Sequence, residues 1–124
     1  MFSHMMVGSN DIDVSKKFYD ATFVAIGGKP GMVDPKGRLV YMHGGGVFMV
    51  TPPIAGAATP GNGMTIGLAM ADPSMADAWH AAGVAAGGKA IEDPPGVRDN
   101  GGMKLYLAYL RDPDGNKLCA LHRM

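Results

Sequence analysis

The chain has 124 residues, enough for one domain with a sizeable core, and its 11 basic and 11 acidic residues cancel. That balance leaves no overall field to attract nucleic acid or an anionic membrane, so the expected partner is a small organic molecule or another protein. Hydrophobic residues at 47% against 18% charged exclude a disordered chain, and no apolar run reaches the length of a membrane span.

Phe2 to Val7 is a short apolar run ending at Gly8, which predicts a strand with His4 as its one ionisable member. The N-terminus lacks the basic flank and long apolar segment of a signal peptide, and the single cysteine, Cys119, excludes an internal disulfide. Both observations predict a cytoplasmic location. A helix follows, with Ser9, Asn10 and Asp11 as candidate N-caps and Val14, Phe18, Ala21 and Ala25 at helical spacing. Gly27 and Gly28 stop it. Lys29 to Gly37 reads as a loop or short edge strand. Arg38 to Met42 and Val47 to Thr51 form a strand pair around His43-Gly44-Gly45-Gly46, closed by Pro52 and Pro53.

After a linker the order repeats. Thr65 to Met70 reads as a strand, and Asp72 caps a helix with Pro73 in its first turn and Met75, Ala78, Trp79 and Ala82 as its apolar stripe. Gly87 and Gly88 end that helix. A Pro/Gly-rich loop carrying Arg98 leads to a closing hairpin, Leu105 to Leu110 and Lys117 to Leu121, turned by Asp112-Pro113-Asp114-Gly115. Alternation places Leu105, Leu107 and Tyr109 on one face, and Cys119 and Leu121 on one face of the partner strand.

The repeat has a register. His4, Asp11, Phe18 and Ala21 lie 61 residues before Thr65, Asp72, Trp79 and Ala82, and Gly27-Gly28-Lys29 recurs 60 residues on as Gly87-Gly88-Lys89. The expected fold is α+β, with two βαβββ modules related by a pseudo-two-fold and forming a curved mixed sheet around a central cleft. Module 1 spans 1–53, the linker 54–63 and module 2 64–124.

The early His4, the helix text SKKFYDATFVAIGG and the closing YLRDPDGNKLCAL resemble the vicinal oxygen chelate superfamily over essentially the whole chain. That superfamily includes glyoxalase I, bleomycin-resistance proteins and extradiol dioxygenases. The resemblance implies a cleft between paired modules, often a divalent metal, and often a homodimer. The superfamily's metal-ligand positions map to His4, Met49, Thr65 and Cys119, of which only His4 is a matching ligand. No metal site and no cofactor are therefore expected, and a divalent metal is disfavoured.

The candidate catalytic residues are His4 as a base, Cys119 as a thiol beside it, and Tyr109 as a hydroxyl sharing the Cys119 face. Their bland counterparts are a core histidine, a small buried residue and a packing ring. Tyr41, Met49, Thr65, Leu107 and Leu121 are candidate ligand contacts, with Arg98 closing over the cleft from its loop. The sequence contains no G-x-G-x-x-G, P-loop, G-x-S-x-G or H-E-x-x-H. Together with the resemblance, which implies a homodimer, these residues lead to the expectation of a small-molecule-binding protein lacking the usual metal. Two alternatives stand beside it: a glyoxalase-like lyase or isomerase, or dioxygenase-related enzyme, using His4 with an atypical metal site, and a non-catalytic scaffold with a filled cleft.

Overall fold

The computed structural model describes residues 1–124. The elements run β1 (Met5–Gly8), α1 (Ile12–Ala25), β2 (Met32–Val33), β3 (Leu39–His43), β4 (Gly46–Thr51), β5 (Ile66–Ala69), α2 (Pro73–Ala85), β6 (Lys89–Ala90), β7 (Gly96–Asn100), β8 (Met103–Arg111) and β9 (Lys117–Arg123). Two βαβββ modules are present. Their strands form a four-stranded sheet in the order β1-β4-β3-β2 and a five-stranded sheet in the order β5-β9-β8, with β6 and β7 both on the far edge of β8. The register repeats as well as the order. Met5 to Gly8 run parallel to Phe48 to Thr51, as Ile66 to Ala69 run parallel to Leu118 to Leu121.

The helix starts follow from the aspartates 61 residues apart. Asp11 accepts from the amides of Asp13 and Val14, and Asp72 from that of Met75, satisfying N–H groups that the first helical turn cannot pair internally. Gly27 and Gly87 follow the two helices at φ 87° and 102°, a conformation that costs glycine little.

Three expectations need correction. The first strand begins at Met5, so Phe2 to His4 precede it and are exposed. The segment expected to be a loop before the hairpin holds β6 and β7. Pro94 and Pro95, which lack a donor, only interrupt this edge. The helical stripes are also rotated from their expected positions. In α1 the inward residues are Ser15, Phe18, Tyr19, Thr22 and Phe23, while Val14 is exposed; in α2 they are Ala76, Trp79 and Gly83, while Ala78 is exposed. Ser15 and Thr22 tolerate burial because each is bonded: Ser15 Oγ lies 2.6 Å from Ser9 Oγ, and Thr22 Oγ1 donates to the Tyr19 carbonyl at 3.2 Å.

Helix α1 packs on the first sheet, α2 on the second, and the helices pack on each other. One core therefore joins the modules, with Val7, Leu39 and Val50 from the first sheet, Phe18 and Trp79 from the helices, and Leu110 and Leu118 from the second sheet. The helix crossing depends on small residues. A Cβ on Gly83 would sit 2.3 Å from Leu110 Cδ1 and 3.2 Å from Phe18 Cε1. Gly83→Ala is thus expected to lower stability by about 1 kcal/mol in urea unfolding, because overpacking at about 1–3 kcal/mol outweighs alanine's helix-propensity gain. The turn between β8 and β9 fastens the modules from outside the core. Asp114 accepts from the Asn10 amide at 2.9 Å and from Ser15 Oγ at 3.2 Å, and Asn116 Nδ2 donates to the Gly8 carbonyl at 3.2 Å.

Candidate functional site

With the helices in the middle, each sheet turns one face inward and the other outward. Strand register decides what lies on the outer faces. On the first sheet Met6, Met49, Val40 and Met32 form a row across all four strands, with Met42 and Val47 beside it. Met42 is 65% exposed and Met32 59%, so this is an apolar surface open to its surroundings. On the second sheet Gly67, Cys119 and Tyr109 form the corresponding row, followed by Ala69, Leu121, Leu107 and Gly96, then Arg123, Leu105 and Arg98. Leu105, Leu107 and Cys119, with Tyr109 and Leu121, make a small apolar cluster separate from the main core.

The second sheet thus gathers five of the sequence candidates on one face: Arg98, Leu107, Tyr109, Cys119 and Leu121. Met49 lies on the outer face of the first sheet, and Thr65 is exposed just before β5. Tyr41 and His4 lie apart from this face. Tyr41 points inward, stacked on Phe23 at 4.7 Å with its hydroxyl donating to Asp20 at 2.7 Å, so it is absent from the Tyr109 face. Register explains the miss: the counterpart of Tyr41 in module 2 is Leu110, since each lies across from the strand residue that pairs with Met5 or Ile66. His4 and Cys119 do not meet within one chain. His4 is exposed, 2.8 Å from Ser3 Oγ, at the edge of the first sheet, whereas Cys119 lies in the second.

Two wall residues were not singled out from sequence. The Lys117 ammonium stands 5.0 Å from the Tyr109 ring centroid and is ion-paired with Glu92. Lys117 was legible by alternation with Cys119. Glu92, at φ 58° in the break between β6 and β7, follows no alternation and was not. Arg98 sits on β7 rather than a free loop, its guanidinium donating to the Gly96 carbonyl at 3.0 Å and the Asp93 carbonyl at 2.9 Å.

Burial pushes the Cys119 thiol up, more than the nearby Tyr109 hydroxyl, Lys117 and Arg98 pull it down. Tyr109 is raised by burial and then by Cys119. Both groups are held protonated, which makes the thiol a poor nucleophile. An acid raised by folding keeps its proton where the unfolded chain has lost it, so stability falls as pH rises above the free thiol value. Iodoacetamide is accordingly expected to label Cys119 more slowly in the folded protein than in urea, and the alkaline loss of stability should shrink in Cys119→Ala. Equal labelling rates would contradict the burial argument.

His4, Met49, Thr65 and Cys119 offer one imidazole, one thioether, one hydroxyl and a protonated thiol, split between two sheets. No three His, Cys, Asp or Glu side chains gather within the chain as a metal site. This donor set does not fit a divalent cation that prefers carboxylate and imidazole.

Residues 1–120 match the sequence profile of the Glyoxalase/Bleomycin resistance protein/Dioxygenase superfamily. The chain belongs to that superfamily. A crystal structure of a glyoxalase/bleomycin resistance protein from Albidiferax ferrireducens T118 is 56% identical, with 99% of each chain covered and a TM-score of 0.94. A glyoxalase/bleomycin resistance protein/dioxygenase family enzyme from Burkholderia phytofirmans PsJN is 16% identical, with 98% of each chain covered and a TM-score of 0.72. Lactoylglutathione lyase from Agrobacterium tumefaciens is 18% identical over 98% of this chain and 92% of its own, with a TM-score of 0.66. The last two share the fold alone. No curated protein matches the chain. No helix is long and apolar enough to cross a membrane.

Proposed function

We propose that this superfamily member binds a small, largely apolar organic molecule in a cleft that two copies of the chain build together, without a resident divalent metal. The observation that carries this reading is the direction of the two outer faces. Each has the apolar floor of a ligand site, yet the helices between them keep one chain from closing the Met49 face over the Tyr109 face. A second copy supplies the missing half and covers the exposed Met6, Met32 and Met42, which lie together on one sheet face. The Arg98 guanidinium at the rim, paired only with backbone carbonyls, suits an anionic or acceptor-rich end on the ligand, whereas Lys117 is matched by Glu92.

Turnover as a lyase or isomerase is the second reading. What favours it is the pairing of Tyr109 directly across from Cys119 on one sheet face, which sets a phenol beside a thiol.

The test pairs ligand screening with complementation. Thiol conjugates and small aromatics should raise the melting temperature of the wild-type chain. Met49→Arg and Leu107→Arg should each abolish that rise, one in each half of the cleft. Mixing the two variant chains should restore part of it, because a mixed dimer contains one intact cleft. A chain that sediments as a monomer at every concentration, or a mixture no better than its components, would remove the two-copy cleft.

A further inference from the structure

The pseudo-two-fold predicts matched contacts at the two hairpin turns, and one of these is missing. In module 2 the turn Asp112 to Asn116 docks against β1, with Asn116 Nδ2 on the carbonyl of Gly8. Leu118 pairs with Ile66 as Phe48 pairs with Met5, so the counterpart of Asn116 is Gly46 and the counterpart of Gly8 is Ala69. The first turn is a tight pair, Gly44 at φ 56° and Gly45 at φ 80°, and Gly46 brings no side chain to β5. A hollow of about 290 Å³ stands there, lined by Met5, Phe23, Tyr41, His43, Phe48 and the strand Ile66 to Ala69, among others. It lies on the helix side of the first sheet, away from the Met49 face.

The walls define what the hollow can hold. Phe23, Tyr41 and Phe48 present aromatic surface, and Phe23 meets Tyr41 stacked and Phe48 at 5.9 Å. The other wall is a bare sheet edge. Met70 N–H donates to the Leu121 carbonyl, and residues alternate along a parallel ladder. Ile66, Leu68 and Met70 therefore face β9, whereas the N–H and C=O groups of Gly67 and Ala69 face the free edge. No carboxylate, lysine or arginine lines the hollow; its ionisable side chains are His43 and the Tyr41 phenol, which burial and the Asp20 hydrogen bond push up and keep neutral.

We infer that this hollow is a second ligand site, within a single chain, for a neutral aromatic carboxamide whose ring rests on Phe23, Tyr41 and Phe48 and whose amide pairs with the edge of β5. An amide offers one donor and one acceptor, as the strand edge does. A full charge would lose hydration with no opposite charge to meet it. The size agrees, because a cavity of about 150 Å³ already holds benzene, and this one has room for a substituted ring.

Benzamide at millimolar concentration is the probe, read on the ¹³C-methyl resonances of methionine, with Met5 assigned by Met5→Leu. The expected result is a saturable shift of Met5 with Met49 unmoved, and a weaker response to benzoate. Gly46 is outside the left-handed region and a Cβ there meets only the His43 carbonyl at 3.6 Å, so Gly46→Asn rebuilds the module 2 contact without strain. That variant should lose the Met5 shift while keeping dispersed signals from the other methionines. Leu107→Arg, which closes the two-copy cleft, should leave the shift intact. A Met5 signal that benzamide does not move, a shift that survives Gly46→Asn, or a response at Met49 in its place would overturn the inference; the first and last read on the wild-type chain alone.

Discussion

Asp112→Ala is expected to lower the stability of the folded chain by about 4 kcal/mol, a large fraction of the roughly 5–15 kcal/mol that holds a domain together. Asp112 is buried at the start of the β8–β9 turn and accepts four hydrogen bonds: from Tyr19 Oη at 2.5 Å, Asn116 Nδ2 at 2.8 Å, and the amides of Asn116 at 2.9 Å and Asp114 at 3.0 Å. Removing the carboxylate strands the Tyr19 hydroxyl and the Asn116 backbone N–H, both buried, and leaves Asn116 Nδ2 with the Gly8 carbonyl alone; each orphaned group costs about 1–3 kcal/mol. Burial, followed by Asp112, already raises the Tyr19 phenol, so Tyr19 meets the carboxylate as a neutral donor. Tyr19→Phe leaves Asp112 three of its four partners and should cost about 1–2 kcal/mol. Urea unfolding is the measurement, with a lower midpoint at unchanged slope. A midpoint equal to wild type for Asp112→Ala would show that the turn is not the fastener described above.

Trp79→Ala should be of similar size, about 3–5 kcal/mol, for a different reason. Trp79 is 1% exposed, and it sits on α2 at the place where Phe18 sits on α1. Its loss empties an apolar space in the one core that both modules share. Unlike the Asp112 deficit, this one should be partly repaired by added indole, which would raise the variant's melting temperature and leave wild type unmoved. A variant that indole leaves unchanged, with small loss of stability, would mean that the modules collapse to close the gap.

The architecture was legible because two features carry local signals that recur. Asp11 and Asp72 cap, and Gly27 and Gly87 stop, at a spacing that no single helix explains. The helical faces were harder to read. Ser15 and Thr22 look like surface residues until their hydrogen-bond partners are known, and Val14 and Ala78 look like core residues until the neighbouring helix claims the other side. Site residues on β8 and β9 followed from simple alternation, which is why Leu107, Tyr109, Cys119 and Leu121 share a face as expected. Tyr41 does not share that orientation, because its pairing with Phe48 turns it to the helix side of its sheet, which alternation alone could not decide. Sequence also carried no sign of which way the modules would pack. That depends on close approaches between the modules, such as Gly83 and Gly88 to the Phe18 ring, which bring the helices together in the middle and leave His4 and Cys119 on separate sheets.

The docking of the β8–β9 turn also bears on how the polypeptide comes to be made. The Asn10 amide and its Asp114 partner are 104 positions apart, and Tyr19 waits for Asp112 across 93. During synthesis the opening helix emerges with its first turn and its phenol still lacking the groups that will secure them, and it can be locked only once the closing hairpin is out of the ribosome. Such distant pairings slow folding and leave apolar surface bare in the interval. A message truncated ahead of codon 112 would yield a first module with no latch.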